Sequence, residues 1–251
     1  MNTTNEGMSK VPEVTLAFWA IKILATTLGE TGGDAVSMSM NLGYLASTAI
    51  FAVVFIIAVS FQMYSKDFHP VTYWATIIAT TTLGTTLADF ADRSLGIGYA
   101  GGSTVLAVLL VLSLFVWYKT LGSIAIETVS SPKSESFYWV TIMFSQTLGT
   151  ALGDWVADTE GLGYAASAAI FGVALAVIAL AYFKTNLSRM YLFWSAFILT
   201  RPLGAVVGDF LDKPISSGGL ELSRYSTTAV LLLLIAILLF CFKQRPARNT
   251  H

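Results

Sequence analysis

A chain of 251 residues that is 55% hydrophobic and only 12% charged, with a mean hydropathy of +0.70, reads as a membrane protein, since soluble domains carry about 25% charged residues. Its formal net charge of −1 supplies no field for nucleic acid or another polyion. A single Cys241 excludes an internal disulfide and any paired-cysteine metal or redox motif, and His69 and His251 form no ligand cluster. The polar start MNTTNEGMSK lacks a basic n-region and Lys22 interrupts the first apolar run, so no cleavable signal peptide is expected.

The first apolar segment, near 14–34, carries Lys22, Glu30 and Asp34 and ends in TTLGETGGD. The next, 43–63, is free of charge for the length of a bilayer. The alternation then repeats: 71–90 with Asp89, 98–118 without charge, 137–155 with Asp154, 163–183 without charge, 190–210 with Arg201 and Asp209, and 225–242 without charge. A span needs about 20 residues at roughly 1.5 Å rise, so the pattern predicts eight transmembrane helices and an all-α polytopic fold. Odd helices carry every intramembrane charge; even helices carry none.

The alternation is an internal repeat. Trp19, Trp74, Trp139 and Trp194 recur at steps of 55, 65 and 55, each after Phe or Tyr, and Leu28-Gly29, Leu83-Gly84, Leu148-Gly149 and Leu203-Gly204 keep the same steps. Gly43-Tyr44, Gly98-Tyr99 and Gly163-Tyr164 follow in register, while the fourth copy departs with GGLELSRY. Four parallel two-helix repeats are expected at 12–64, 68–119, 134–184 and 188–242, within one membrane domain (1–242) followed by a basic tail (243–251). GYLASTAIFAVVF of the first repeat matches GYAASAAIFGVAL of the third at 8 of 13 positions but GYAGGSTVLAVLL of the second at only 4. Repeats two and four share Asp-Phe-x-Asp, at 89–92 and 209–212. These likenesses predict an approximate two-fold relation between four-helix halves over a weaker four-fold one.

Basic residues in the connections set the orientation. Lys10, Lys66, Lys119, Lys133, Lys184, Arg189, Lys243, Arg245 and Arg248 fall on one side, and only Arg93, Lys213 and Arg224 on the other. Both termini are therefore expected to be cytoplasmic. The chain resembles a family of bacterial integral membrane proteins built from four tandem two-helix repeats of unknown function, each with a characteristic tryptophan, over 11–242. The resemblance implies the topology and a bacterial inner-membrane location, but no mechanism.

Function must come from the residues. Positions i, i+3 and i+7 share a helix face. That face holds Thr27, Glu30 and Asp34 in the first odd helix, Thr82, Thr85 and Asp89 in the second, and Thr147, Thr150 and Asp154 in the third. The fourth has Pro202, Ala205 and Asp209, with Arg201 beside them. Carboxylates are costly against lipid, so these stripes are expected to face one another with the even helices outside. An all-oxygen set of carboxylates and hydroxyls suits hard cations and protons. The reading is a transporter of Mn²⁺ or another hard divalent ion, with proton exchange as one option and the coupling ion left open. Glu30, Asp34, Asp89, Asp154 and Asp209 form the candidate cation path, and Thr27, Thr82, Thr85, Thr147 and Thr150 line it. Lys22 and Arg201 balance charge. No cofactor is implied, and the partners are the bilayer and the small cation or solute. Monomer and homodimer both stay open. Two rivals stand beside this reading: a transporter of a small organic solute or anion held by Arg201 and Lys22, and a non-transporting sensor or assembly protein whose Asp residues only cap helix ends. No HExxH, Cys/His or Walker pattern supports an enzyme.

Three further features carry expectations. GIGYAG at 96–101 spells GxGxxG, but no strand precedes it, so a dinucleotide site is not expected. The pairs Gly43/Ser47, Gly98/Gly102 and Gly163/Ser167 read instead as small residues permitting close helix approach, and Gly29, Gly32 and Gly33 either break their helix or serve packing. The four tryptophans read as interfacial anchors, with a cytoplasmic gate as the alternative.

Overall fold

The computed structural model describes residues 8–159 and 161–248, so the first seven residues and the end of the predicted tail, with His251, lie outside the described residues. Eight long helices run through the described chain: α1 (Leu16–Asp34), α2 (Gly43–Tyr64), α3 (Pro70–Asp89), α4 (Tyr99–Leu121), α5 (Pro132–Asp154), α6 (Gly163–Lys184), α7 (Arg189–Asp212) and α8 (Arg224–Cys241). Five of them, α2, α4, α6, α7 and α8, are long and apolar enough to cross a membrane. Local chemistry fixes the starts of the odd helices. Thr15 Oγ1 accepts from Phe18 N ahead of α1, prolines occupy the first position of α3 and α5, and Ser131 with Ser134 forms a capping box on α5.

The odd helices form a closed inner ring in the order α1, α3, α5, α7 and back to α1. Each even helix packs not on its own repeat partner but on the next odd helix: α2 on α3, α4 on α5, α6 on α7, and α8 on α1. Outward faces of the even helices expose Ile57, Phe61, Val105, Leu112, Val173, Val177, Leu233 and Phe240, an apolar mantle too large for a surface in water.

The Leu-Gly motif closes the ring. A Cβ on Gly29 would overlap Thr81, on Gly84 the backbone of Gln146, on Gly149 Arg201, and on Gly204 Thr26. Each glycine thus seats the residue three positions before the glycine of the next repeat, so one contact recurs four times around the ring. α1 runs unbroken through Gly29, Gly32 and Gly33; the glycines serve packing, and the helix-break reading falls. At the even-helix starts the expectation of close approach holds at the second member of each pair, where Ser47, Gly102 and Ser167 are buried, and is corrected at the first. Gly43, Gly98 and Gly163 have φ of +76°, +76° and +73° with nothing beside them, so glycine is there for the left-handed turn into the helix. Gly102 does receive a neighbour, the carboxylate of Asp92.

One end of the ring is aromatic. Phe18 meets Trp74 at 5.4 Å, Tyr73 meets Trp139 at 5.8 Å, Tyr138 meets Trp194 at 6.2 Å, and Phe193 meets Trp19 at 5.9 Å, closing a second cycle. Trp74, Trp139 and Trp194 are buried inside the protein, and Trp19 is half-buried. The anchor expectation is therefore wrong: the preceding aromatic of each repeat covers the next repeat's indole, and the rings form an internal plug. Ile124, Ile126 and Val129 of the connection between halves, Val11, and Ala247 join the same core. The Trp194 indole N–H donates to Ile124 O at 3.0 Å. The described part of the predicted tail is not free: Ala247 N donates to Val11 O, Glu13 N donates to Arg245 O, and Pro12 and Pro246 bridge.

Candidate functional site: a carboxylate ring crossed by basic side chains

From the aromatic plug, residues four apart on each odd helix descend in layers, as a face with i, i+4 spacing requires. The first layer is Lys22, Ile77, Ile142 and Phe197; the second is Thr26, Thr81, Gln146 and Arg201. Glu30, Thr85, Thr150 and Ala205 follow, and then Asp34, Asp89, Asp154 and Asp209. All four aspartates and Glu30 are buried. Beyond three of the aspartates the helix widens into a π turn, at Ala35–Ser39, Phe90–Ser94 and Trp155–Thr159; α7 instead ends at Asp212. Such turns insert a residue and re-aim side chains, often at functional sites.

Arg201 lies across the middle of the ring, wholly buried. Both Nη atoms donate to Glu30 Oε2 at 3.1 Å, and Nη2 donates to Thr85 Oγ1 at 2.6 Å and to Thr150 Oγ1. Thr85 Oγ1 in turn donates to Glu30 Oε2 at 3.2 Å. One guanidinium therefore ties α7 to the other three inner helices. A buried pair of this kind is costly to break from one side, because the remaining charge has no water to return to.

The aspartate layer is paired by two basic side chains that the sequence reading placed in connections. Arg93 Nε lies 2.9 Å from Asp89 Oδ1 and its Nη2 donates to Asp154 Oδ2 at 3.1 Å. Lys213 Nζ lies 3.0 Å from Asp209 Oδ1 and donates to Asp34 Oδ2. In both cases the cation stands four residues beyond its own repeat's aspartate and reaches the aspartate of the next repeat. Arg224 Nε donates to Asp212 Oδ2 at 3.1 Å and lies 3.8 Å from Asp34 Oδ2. The shared Asp-Phe-x-Asp of repeats two and four thus extends to a fifth position, Arg93 and Lys213, and makes the layer two-fold.

Carboxylate oxygens converge from different helices. One oxygen each from Glu30, Asp34 and Asp89 lie within 4.8 Å of one another, as do those of Glu30, Asp154 and Asp209, and of Asp34, Asp209 and Asp212. Such all-oxygen triads can hold a hard cation. Seven buried carboxylates (these six and Asp92) stand against the paired cations Arg93, Arg201, Lys213 and Arg224 and the unpaired, buried Lys22, so two negative formal charges remain.

The other predicted residues separate. Thr85 and Thr150 join the site on Arg201, whereas Thr27, Thr82 and Thr147, though buried, donate to Ile23 O, Ile78 O and Met143 O of their own helices. The column runs through Thr26, Thr81 and Gln146 instead, one position earlier. Lys22 reaches no carboxylate: its Nζ lies 4.1 Å from the Phe197 ring centre and has no hydrogen-bond partner. Its charge-balancing role therefore passes to Arg93, Lys213 and Arg224. The basic residue after each Asp-Phe-x-Asp was the available signal.

A family model described as Repeat of Unknown Function (DUF347) matches the chain four times, at residues 17–68, 72–122, 137–188 and 192–245. No curated protein and no solved structure matches it.

Proposed function

The chain belongs to the family built from this Repeat of Unknown Function (DUF347), and since membership brings no activity with it, we propose from the site that the protein is a membrane transporter of a hard divalent cation, manganese foremost, in exchange for protons. All eight helices span the bilayer. They have 18 to 24 residues, about 27–36 Å at 1.5 Å per residue, against a hydrocarbon core of about 30 Å. α1, α3 and α5 are less apolar because they face the ring, where the even helices shield them from lipid. The membrane is the bacterial inner membrane, with the aromatic end and both termini cytoplasmic. The basic residues on the acidic side support this orientation further, since Arg93, Lys213 and Arg224 are engaged in ion pairs.

The observation that carries the reading is the buried layer of Asp34, Asp89, Asp154 and Asp209, one from each repeat, with carboxylates in excess over cations. Glu30 and two threonine hydroxyls already engage the Arg201 Nη groups, which leaves an anion or organic acid only the buried Arg201 Nε and Lys22 Nζ. Ligand chemistry supports proton exchange, since carboxylates must be deprotonated to bind a metal and so bind protons and cations in competition. The test is flux in proteoliposomes, with Mn²⁺, Mg²⁺, Ca²⁺, monovalent cations and organic solutes each run with and without a pH gradient. Mn²⁺ flux coupled to proton movement is expected; flux of an organic solute alone would overturn the reading. In a Cys241→Ser background, cysteines at Ser65 and Ser188 should label from the cytoplasm and those at Ser94 and Ser217 from outside. Reversed labelling would invert the topology.

A further inference from the structure

Lys213 occupies a place where a cation belongs. Its ammonium is bonded to Asp34 and stands 3.0 Å from Asp209, two members of the converging triad Asp34, Asp209 and Asp212. The triad is not used up by this contact: Asp34 Oδ1 and Asp212 Oδ1 are buried and have no hydrogen-bond partner. On the other half, Arg93 stands in the corresponding position between Asp89 and Asp154. We infer that Lys213 and Arg93 are tethered counter-cations, side chains that fill the carboxylate ring when no ion is bound and that the transported cation must displace. This inference rests on the cation-transport reading and names the groups that set the affinity of that site.

The geometry makes occupancy exclusive. A hard cation takes carboxylate oxygens at about 2.0–2.6 Å, so an ion held by Asp34 Oδ2 and Asp209 Oδ1 would share the space of the Lys213 ammonium. Two like charges that close repel strongly in a buried site, and one must leave. Both side chains have a way out. Lys213 follows the last residue of α7, where the backbone is already extended, and Arg93 lies in a π turn with 31% of its side-chain surface exposed. The tethered cations also offset part of the buried charge of the empty ring, which is costly to leave unpaired.

The experiment is calorimetric titration of purified full-length protein with Mn²⁺ at one fixed pH, comparing wild type, Lys213→Met and Lys213→Arg. Removing the competitor is expected to tighten binding by about tenfold or more, and the arginine variant, which keeps the charge, should bind close to wild type. Binding by Lys213→Met where the wild type shows none is the same effect in stronger form. Unchanged or weaker binding by Lys213→Met, beside a wild type that binds, overturns the tethered-cation role and leaves the transport reading standing. Absence of Mn²⁺ binding in all three overturns both. A measurement on the wild type alone guards against a variant that fails to fold: acetylation of the Lys213 amine by a water-soluble reagent, mapped by mass spectrometry. Lys213 should react slowly without Mn²⁺ and faster at saturating Mn²⁺; an equal rate in both conditions counts against displacement.

Discussion

The two ends of the inner ring are built on one plan and finished differently. At the aromatic end, each repeat contributes an aromatic pair and each pair covers the next, four times in succession. At the acidic end each repeat again contributes an equivalent aspartate to one layer, but only repeats two and four add the cation that bridges to a neighbour. Ring faces and edges can satisfy one another around a cycle of any order. Carboxylates cannot, because like charges need something between them. The four-fold pattern survives where the task is packing and falls to two-fold where charge must be neutralised.

The largest expected effect tests the charged half of this comparison. Arg201→Met leaves Glu30 buried without its partner and is predicted to destabilise the protein by about 3–5 kcal/mol, read from denaturant unfolding in detergent. The double variant Arg201→Met with Glu30→Gln should recover part of the loss. If the double variant is as unstable as the single one, Arg201 matters for its shape rather than its charge.

A smaller effect tests the two-fold pattern itself. Asp34 and Asp154 each receive a cation from the preceding repeat around the ring, while Asp89 and Asp209 each hold one from their own. Asp34→Asn and Asp154→Asn should therefore lower Mn²⁺ flux to a similar extent, by about tenfold if each removes about 1.4 kcal/mol of ion stabilisation, and Asp89→Asn and Asp209→Asn should match each other. Four equal losses would restore four-fold equivalence. Wild-type flux in all four would return the aspartates to a capping role.

The smallest effect lies at the aromatic end. Tyr73 and Tyr138 share a buried hydrogen bond of 2.6 Å between their hydroxyls. Tyr73→Phe is predicted to cost about 1 kcal/mol of stability and leave flux unchanged. A large loss of flux would make the plug part of the transport cycle rather than a seal.

Much of this architecture was legible in the sequence, and the failures have identifiable causes. Charge alternation between odd and even helices marked the inner ring, because buried carboxylates leave a clear gap in hydropathy. The facing column was misplaced by one residue. On a helix of 3.6 residues per turn, i+3 and i+4 neighbours straddle the same direction. Thr27, Thr82 and Thr147 repeat chemically, whereas Thr26, Thr81, Gln146 and Arg201 do not. Counting basic residues in connections gave their side but not their partners, so Arg93 and Lys213 were missed as members of the site. The tryptophans misled because a periodic indole near a helix start is the usual sign of an interface. Only the position of the preceding aromatic, one repeat away, shows that these indoles are enclosed.

The offset packing of even helices has a consequence for how such a protein can be assembled. Because α2 serves α3, α4 serves α5 and α6 serves α7, no repeat in isolation contains the contacts that shield its own inner helix. Shielding is always borrowed from the preceding copy, and for α1 it comes from α8. The sequence repeat and the folding unit are out of phase by one helix. A single two-helix unit on this plan would be a link with one open side, its inner helix covered only as part of a closed set. Two four-helix halves could complete each other as separate chains, since α4 of each would stand where α8 now stands. A fused chain gains the freedom to let its copies diverge. Arg201 occurs once around the ring, a single residue where a symmetric assembly of identical links would have to carry several.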